Sequence, residues 1–210
     1  MTWMPMLASG FYTCVYYFSF GFSIKLATAN ARMPFSSVKG EKTNSLMHIQ
    51  HLVTRLLQYN LWANERLNTW LLTLDRNILY QKTGSSFGTI DRTLQHILDA
   101  QIYWHAIIFQ GQIKEFSQPL RENAADKIIN ELGVSSQQLV NSLTLLNEQQ
   151  LLEYIKAFDS TQRRYEYILH VVNHSSYHRG QIVTLCRALG VQGEIPVTDY
   201  DGYLWWVENM

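Results

Sequence analysis

The stretch YILHVVNHSSYHRGQIV, residues 167–183, sets His170, His174 and His178 four residues apart. In a helix that spacing stacks side chains on one face, each about 6 Å further along the axis. Two imidazoles on adjacent turns can share one metal ion through their nitrogen lone pairs. Three on consecutive turns do so with difficulty, because the outer pair lie about 12 Å apart. The stretch therefore implies two ligands and a bystander, or three packing histidines and no metal. A third ligand has to come from elsewhere in the chain.

Four other histidines are available: His48, His51, His96 and His105. The first two open an amphipathic segment, where exposure is expected. His105 falls near the end of a second such segment, beside Trp104 and Phe109. His96 sits mid-segment, between Leu94 and Ile97, the position expected to face an interior. A buried imidazole needs a hydrogen-bonding or metal partner. His96 with two of the clustered histidines would leave coordination positions open, the pattern of a catalytic rather than a structural ion. A core histidine satisfied by hydrogen bonds is the alternative reading of the same position.

The elements that must position these residues read as helices. Residues 47–74 carry apolar side chains at Leu52, Leu56, Tyr59, Ala63, Leu67 and Trp70, with no proline or glycine between them. Thr89 is a candidate N-cap for a helix over 90–110, ended by Gly111. Helical spacing continues over 124–150 despite Gly133, and over 165–189 until Gly190. Residues 112–123 form a long polar connection. Residues 154–167 read as extended or turn around Asp159 and Ser160, and the aromatic tail over 191–209 is expected to pack back on the helices. No alternating run is long enough for a sheet. The expected fold is all-α, a four-helix bundle with a long crossover connection, a class that builds metal sites from facing helices.

Composition narrows the function. Hydrophobic residues make up 47% and charged residues 16%, and the 17 basic side chains balance the 17 acidic ones. No Lys/Arg cluster marks a nucleic-acid face. Cys14 and Cys186 form neither a disulfide framework nor a CxxC pair, so a reducing, cytoplasmic setting is expected. Residues 1–46 differ from the rest, with no charge before Lys25 and many aromatics. They lack a basic n-region, and Ser, Thr and Gly interrupt the apolar run, so neither a secretory leader nor a membrane span is the preferred reading. They read as a dispensable N-terminal extension before a working domain at 47–210. Four basic residues and one acidic residue precede Met47, which leaves that domain at a net −3.

Several blocks, in order, resemble the DinB family: YNLWANERL, SSFGTIDRTLQHILDAQIYW, HVVNHSSYHRGQIVTLCRALG and the closing IPVTDYDGYL. The resemblance runs from about Met47 to the C-terminus. It implies a four-helix bundle, commonly a homodimer, with a divalent metal on three histidines, one from the second helix and two from the fourth. Carried over, these are His96, His174 and His178, which leaves His170 as the bystander. Zinc or nickel is the expected ion, with iron or manganese as alternatives, since imidazole suits several divalent metals.

A neutral three-histidine set leaves the ion its full charge, able to acidify a bound water or thiol. Relatives that transfer bacillithiol or use mycothiol imply a small-molecule thiol attacking an electrophilic carbon. A metal-dependent hydrolase and a non-enzymatic, stress-linked metal-binding protein are the alternatives. "Damage-inducible", the family label, describes regulation and implies no DNA binding. Among the neighbours, Asp99 is expected to be solvated or salt-bridged, or else to support the site from behind. Arg179 is expected to anchor a carboxylate, and Gly180 to allow close helix packing. Tyr59, Trp62 and Asn64 are expected to be packing and capping residues of the first helix.

Overall fold

The computed structural model describes residues 48–112 and 124–210. The N-terminal extension and nearly all of the polar connection at 112–123 lie outside those residues. The chain order is α1 (Ile49–Leu71), α2 (Arg76–Tyr80), α3 (Ile90–Gln110), α4 (Ala125–Leu143), α5 (Glu148–Leu152), β1 (Tyr154–Ala157), β2 (Ser160–Arg163), α6 (Arg164–Ala188) and α7 (Tyr200–Asn209).

The four long helices pack in the ring order α1–α4–α3–α6, so that α3 and α6 are direct neighbours. Their amphipathic stripes explain why: each buries one face and leaves the other to water. Helix ends fall where the backbone finds partners. The Ile49 N–H donates to Glu148 Oε1 at 3.0 Å, and His48 Nδ1 meets Oε2 of the same carboxylate at 2.7 Å. Thr89 takes the extended N-cap conformation, yet its hydroxyl makes no capping bond. Gly111 turns left-handed at φ 64°, a turn that favours glycine, and the Gln112 N–H after it donates back to Ala106 O at 3.1 Å.

Two expectations are corrected and one is made specific. The helix expected over 124–150 is two helices, because Asn147 forms a capping box with Gln150 and starts α5 afresh. The stretch expected to be extended or turn around Asp159 and Ser160 is an antiparallel hairpin over 154–163 that pairs Tyr154 with Arg163 and Ala157 with Ser160, and α6 follows directly from Arg164. Its turn is Phe158 and Asp159, and Phe158 accepts a left-handed φ of 52°. Two short helices were not anticipated. Asp75 caps α2 through the Asn77 N–H, and Asp199 caps α7 through the Gly202 N–H.

The core is in two parts. One apolar cluster gathers Val53, Leu57, Tyr103, Ile168 and Val172, and the aromatic side of α7 joins it through Tyr203. The other gathers Leu67, Leu94, Ile97, Leu132 and Ile182. Leu94 is fully buried, and truncation to alanine there costs about 2–5 kcal/mol. Between the clusters each long helix contributes buried polar residues: Asn60 and Asn64 from α1, Gln101 from α3, Ser136 from α4, Ser175 and Arg179 from α6. Among the described residues no helix is long and apolar enough to cross a membrane.

Candidate metal centre

The imidazoles of His96, on α3, and of His174 and His178, on adjacent turns of α6, converge. His174 Nε2 lies 3.0 Å from His96 Nε2 and 3.1 Å from His178 Nε2. Two nitrogens that each stand about 2.0–2.1 Å from one ion are about 3–3.4 Å apart when adjacent in the coordination sphere. The spacing fits. Hydrogen bonding serves the cluster poorly, because a ring nitrogen offers one in-plane hydrogen or one lone pair. A hydrogen on His174 Nε2 would have to be shared between two acceptors, whereas one cation takes all three lone pairs.

The protonation states agree with a ligand set. Burial pulls the pKa of His96 down to about 4, helped by the neighbouring His178. Burial likewise pulls His174 down to about 3, with His178, His96 and His170 adding repulsion. His178 is also lowered by burial, opposed by its hydrogen bond to Gln181. All three are therefore neutral near pH 7, the form that binds metal.

Two residues outside the expected set shape the cluster. Gln181 Oε1 stands 2.7 Å from His178 Nδ1. An accepting carbonyl there puts the ring hydrogen on Nδ1 and leaves Nε2 as a lone pair aimed at the other imidazoles. Phe87 stacks on the His96 ring with centroids 4.2 Å apart and meets the His178 ring edge-on at 5.5 Å. A tight loop presents it, with Thr83 N–H donating to Gly88 O at 2.7 Å and Gly88 held at φ 80°. HRGQ and SSFG were visible as motifs. Only a spacing of three from His178 to Gln181, one helical turn, hinted at a direct contact.

The remaining candidates fall elsewhere. His170 is exposed, with its ring 5.8 Å from that of His174 and edge-on to Trp104 at 5.0 Å, and it does not join the cluster. His105 meets Ser142 Oγ at 2.8 Å in a cleft between α3 and α4. Asp99 is buried instead of solvated, and Gln95 Nε2 lies 3.5 Å from its Oδ2. Arg179 does not anchor a carboxylate. It is 2% exposed, and its partners are the neutral Asn60, Asn64, Tyr59 and Ser176. Gly180 serves no close packing either, since a Cβ added there would meet nothing within 4 Å.

Comparison with known proteins adds ancestry to this geometry. The DinB family model matches residues 42–210. The chain is 27% identical over 165 residues to Protein DinB of Bacillus subtilis (strain 168), an alignment that covers 74% of this chain and 95% of that protein. The crystal structure of a DinB-like protein from Bacillus cereus ATCC 10987 superposes with a TM-score of 0.54 at 19% identity. That superposition covers 67% of this chain and 92% of the other, and it speaks to fold alone. The family match takes in the Phe87 loop and both histidine-bearing helices, and it spans most of the sequence: this chain belongs to the DinB family.

Proposed function

We propose that the protein is a divalent-metal-dependent enzyme that joins a low-molecular-weight thiol to an electrophilic carbon, with His96, His174 and His178 as the metal ligands. The observation that carries the reading is the meeting of three neutral imidazole nitrogens 3.0 and 3.1 Å apart. A zinc or nickel ion on them would supply positive charge that favours the thiolate form of a small thiol. The chain supplies the rest. His174 and His178 offer lone pairs from successive turns of one helix, His96 offers a third from the neighbouring helix, and Gln181 holds the tautomer of His178. Phe87 covers His96 and part of His178, keeping water from that side. Because no ligand in the set carries a negative charge, the site favours an anionic sulfur over a neutral substrate atom.

This reading includes a working domain at 47–210 and a cytoplasmic setting, which rest on composition and cysteine usage, and a homodimeric state, which rests on the family resemblance. Its test has two steps. Elemental analysis of identically purified parent protein and of His96→Ala, His174→Ala, His178→Ala and His170→Ala should find metal in the parent and His170→Ala only. The loaded parent should then conjugate a low-molecular-weight thiol to a reactive haloaromatic, and leave an ester panel unhydrolysed. Ester hydrolysis without conjugation would replace the thiol reading with the hydrolase one. A parent without metal after reconstitution with zinc and nickel would end both.

A further inference from the structure

Arg179 is a charge in the core whose hydrogen-bond partners among the described residues are all neutral. Its guanidinium donates to Asn60 Oδ1 at 3.0 Å and Asn64 Oδ1 at 2.8 Å from one nitrogen, and to Tyr59 Oη at 3.0 Å and Ser176 Oγ at 2.8 Å from another. Asn64 Nδ2 goes on to Ser136 Oγ at 2.9 Å, the one Ser136 hydroxyl hydrogen is shared between Leu132 O at 2.7 Å and Gln101 Oε1 at 3.2 Å, and Gln101 Nε2 goes to Ser175 Oγ at 3.4 Å. The chain of bonds closes back on α6 after visiting α1, α4 and α3. Every long helix of the bundle is tied at one level.

Such a belt adds little stability. A buried cation costs desolvation that neutral partners only partly return. Arg179 Nε and Asn60 Nδ2 are also buried with no hydrogen-bond partner among the described residues. What a buried polar layer does supply is register, as single polar residues do in helical coiled coils. Register matters here for a particular reason. His170, His174 and His178 repeat every turn, so sliding α6 by one turn would offer His170 and His174 to His96 in place of His174 and His178.

The first apolar cluster tolerates part of that slip, since Ile168 would replace Val172 and Tyr167 would replace Val171, but Arg164 would enter the place of the buried Ile168. In the second, His178 would enter the place of Ile182. The belt opposes it in addition, and at the level of the histidines. Arg179 would move to the place of Val183, which packs against the second apolar cluster, and the carbonyls of Asn60 and Asn64 would lose their donor. We propose that Arg179, keyed to Asn60 and Asn64, is the positioning residue that sets the height of α6 and so selects His174 and His178 as the pair facing His96. The inference rests on the metal reading for its consequence, but not for its geometry.

The test compares Arg179→Met, which keeps length and removes charge and fork, with the parent protein. Proton NMR of the metal-free proteins reads the register directly, through ring-proton contacts of His96. The parent should show contacts from His96 to His174 and His178, whose ring centroids lie 4.9 and 4.7 Å away. Arg179→Met should keep its helix content, weaken the contact to His178 and gain one to His170. Zinc affinity, by chelator competition, should fall about tenfold or more, as for residues that orient metal ligands. His170→Ala should become damaging in that background while remaining silent in the parent. If Arg179→Met does not fold, Arg179→Lys, which keeps the charge and loses the two-nitrogen fork, should show the same changes to a smaller degree. Unchanged His96 contacts and unchanged affinity in a folded variant would overturn the proposal. A parent that binds no zinc would end the metal reading, and the NMR contacts would still decide the role of Arg179.

Discussion

The carbonyl oxygen of Gln181 faces His178 Nδ1 at 2.7 Å, one turn further along α6. That contact fixes which nitrogen of His178 carries the hydrogen. Gln181→Leu removes the acceptor and lets the ring choose either tautomer, so zinc affinity should fall about 10–100-fold. Gln181→Glu, a stronger acceptor, should hold or raise it. Chelator competition measures both, and an affinity unchanged in Gln181→Leu would show that something else sets the ring.

Phe87 makes its contribution from a loop rather than a helix. Its stacking on His96 restrains the one ring of the cluster that α3 supplies. Phe87→Ala should release bound metal severalfold faster while lowering stability by only about 1 kcal/mol, the ordinary cost of a half-buried truncation. Phe87→Tyr should restore the slow release. Stopped-flow transfer of metal to a chromogenic chelator reads the rate, and equal rates for the parent and Phe87→Ala would remove the residue from the site.

Acid should weaken the metal-free fold over a defined window. The imidazoles of His96 and His174 titrate at about 4 and about 3, against 6.5 for the free side chain. Below pH 6.5 the unfolded chain takes up protons that the native cluster refuses, so the unfolded state gains as pH falls. Melting temperature should therefore be nearly flat above pH 7 and drop progressively from pH 6.5 towards 3. His174→Ala should flatten that slope. A parent protein with a flat profile between pH 6.5 and 4 would mean that the native cluster takes up protons as freely as the unfolded chain.

Cys186, the one cysteine among the described residues, is poorly placed to supply the sulfur itself. It is fully buried in the second apolar cluster, and burial pushes its pKa up to about 11. A thiol in that state is a poor nucleophile. Peptide mapping after treatment with N-ethylmaleimide at pH 8 should find Cys186 unmodified in the native protein and modified after denaturation. Cys186→Ala should keep conjugation activity. Loss of activity at unchanged melting temperature would implicate the side chain directly.

Helix periodicity placed α1, α3 and α6 to within a few residues, because each repeats apolar residues at helical spacing and ends at a glycine or turn. The break after α4 was missed although Asn147 and Gln150 stand in capping-box spacing. An apolar run that continues across a cap looks continuous by periodicity alone. The three converging histidines were readable from one face of α6 and one mid-helix position, with the family motifs naming the pair. The surroundings of Arg179 were not. Which side of α6 a residue next to His178 faces depends on rotation against α1, and an arginine reads as a surface residue until that rotation is known. Phe87 and Gln181 were hidden for the same reason: each acts through a contact with another element or turn rather than through its own type.

The division of the core into two apolar clusters has a consequence for how the molecule comes apart. A polar seam lets the clusters on either side open as separate cooperative units, since few apolar contacts cross it. The imidazole cluster stands beside that seam, on α3 and α6, two of the four helices that run through it. A bound ion would act as a rivet between the halves. Hydrogen exchange on the metal-free protein should then resolve two protection classes, with Leu67 and Leu132 in one and Val53 and Leu143 in the other. Loading the site should merge them, so that the calorimetric transition sharpens as well as moves upward.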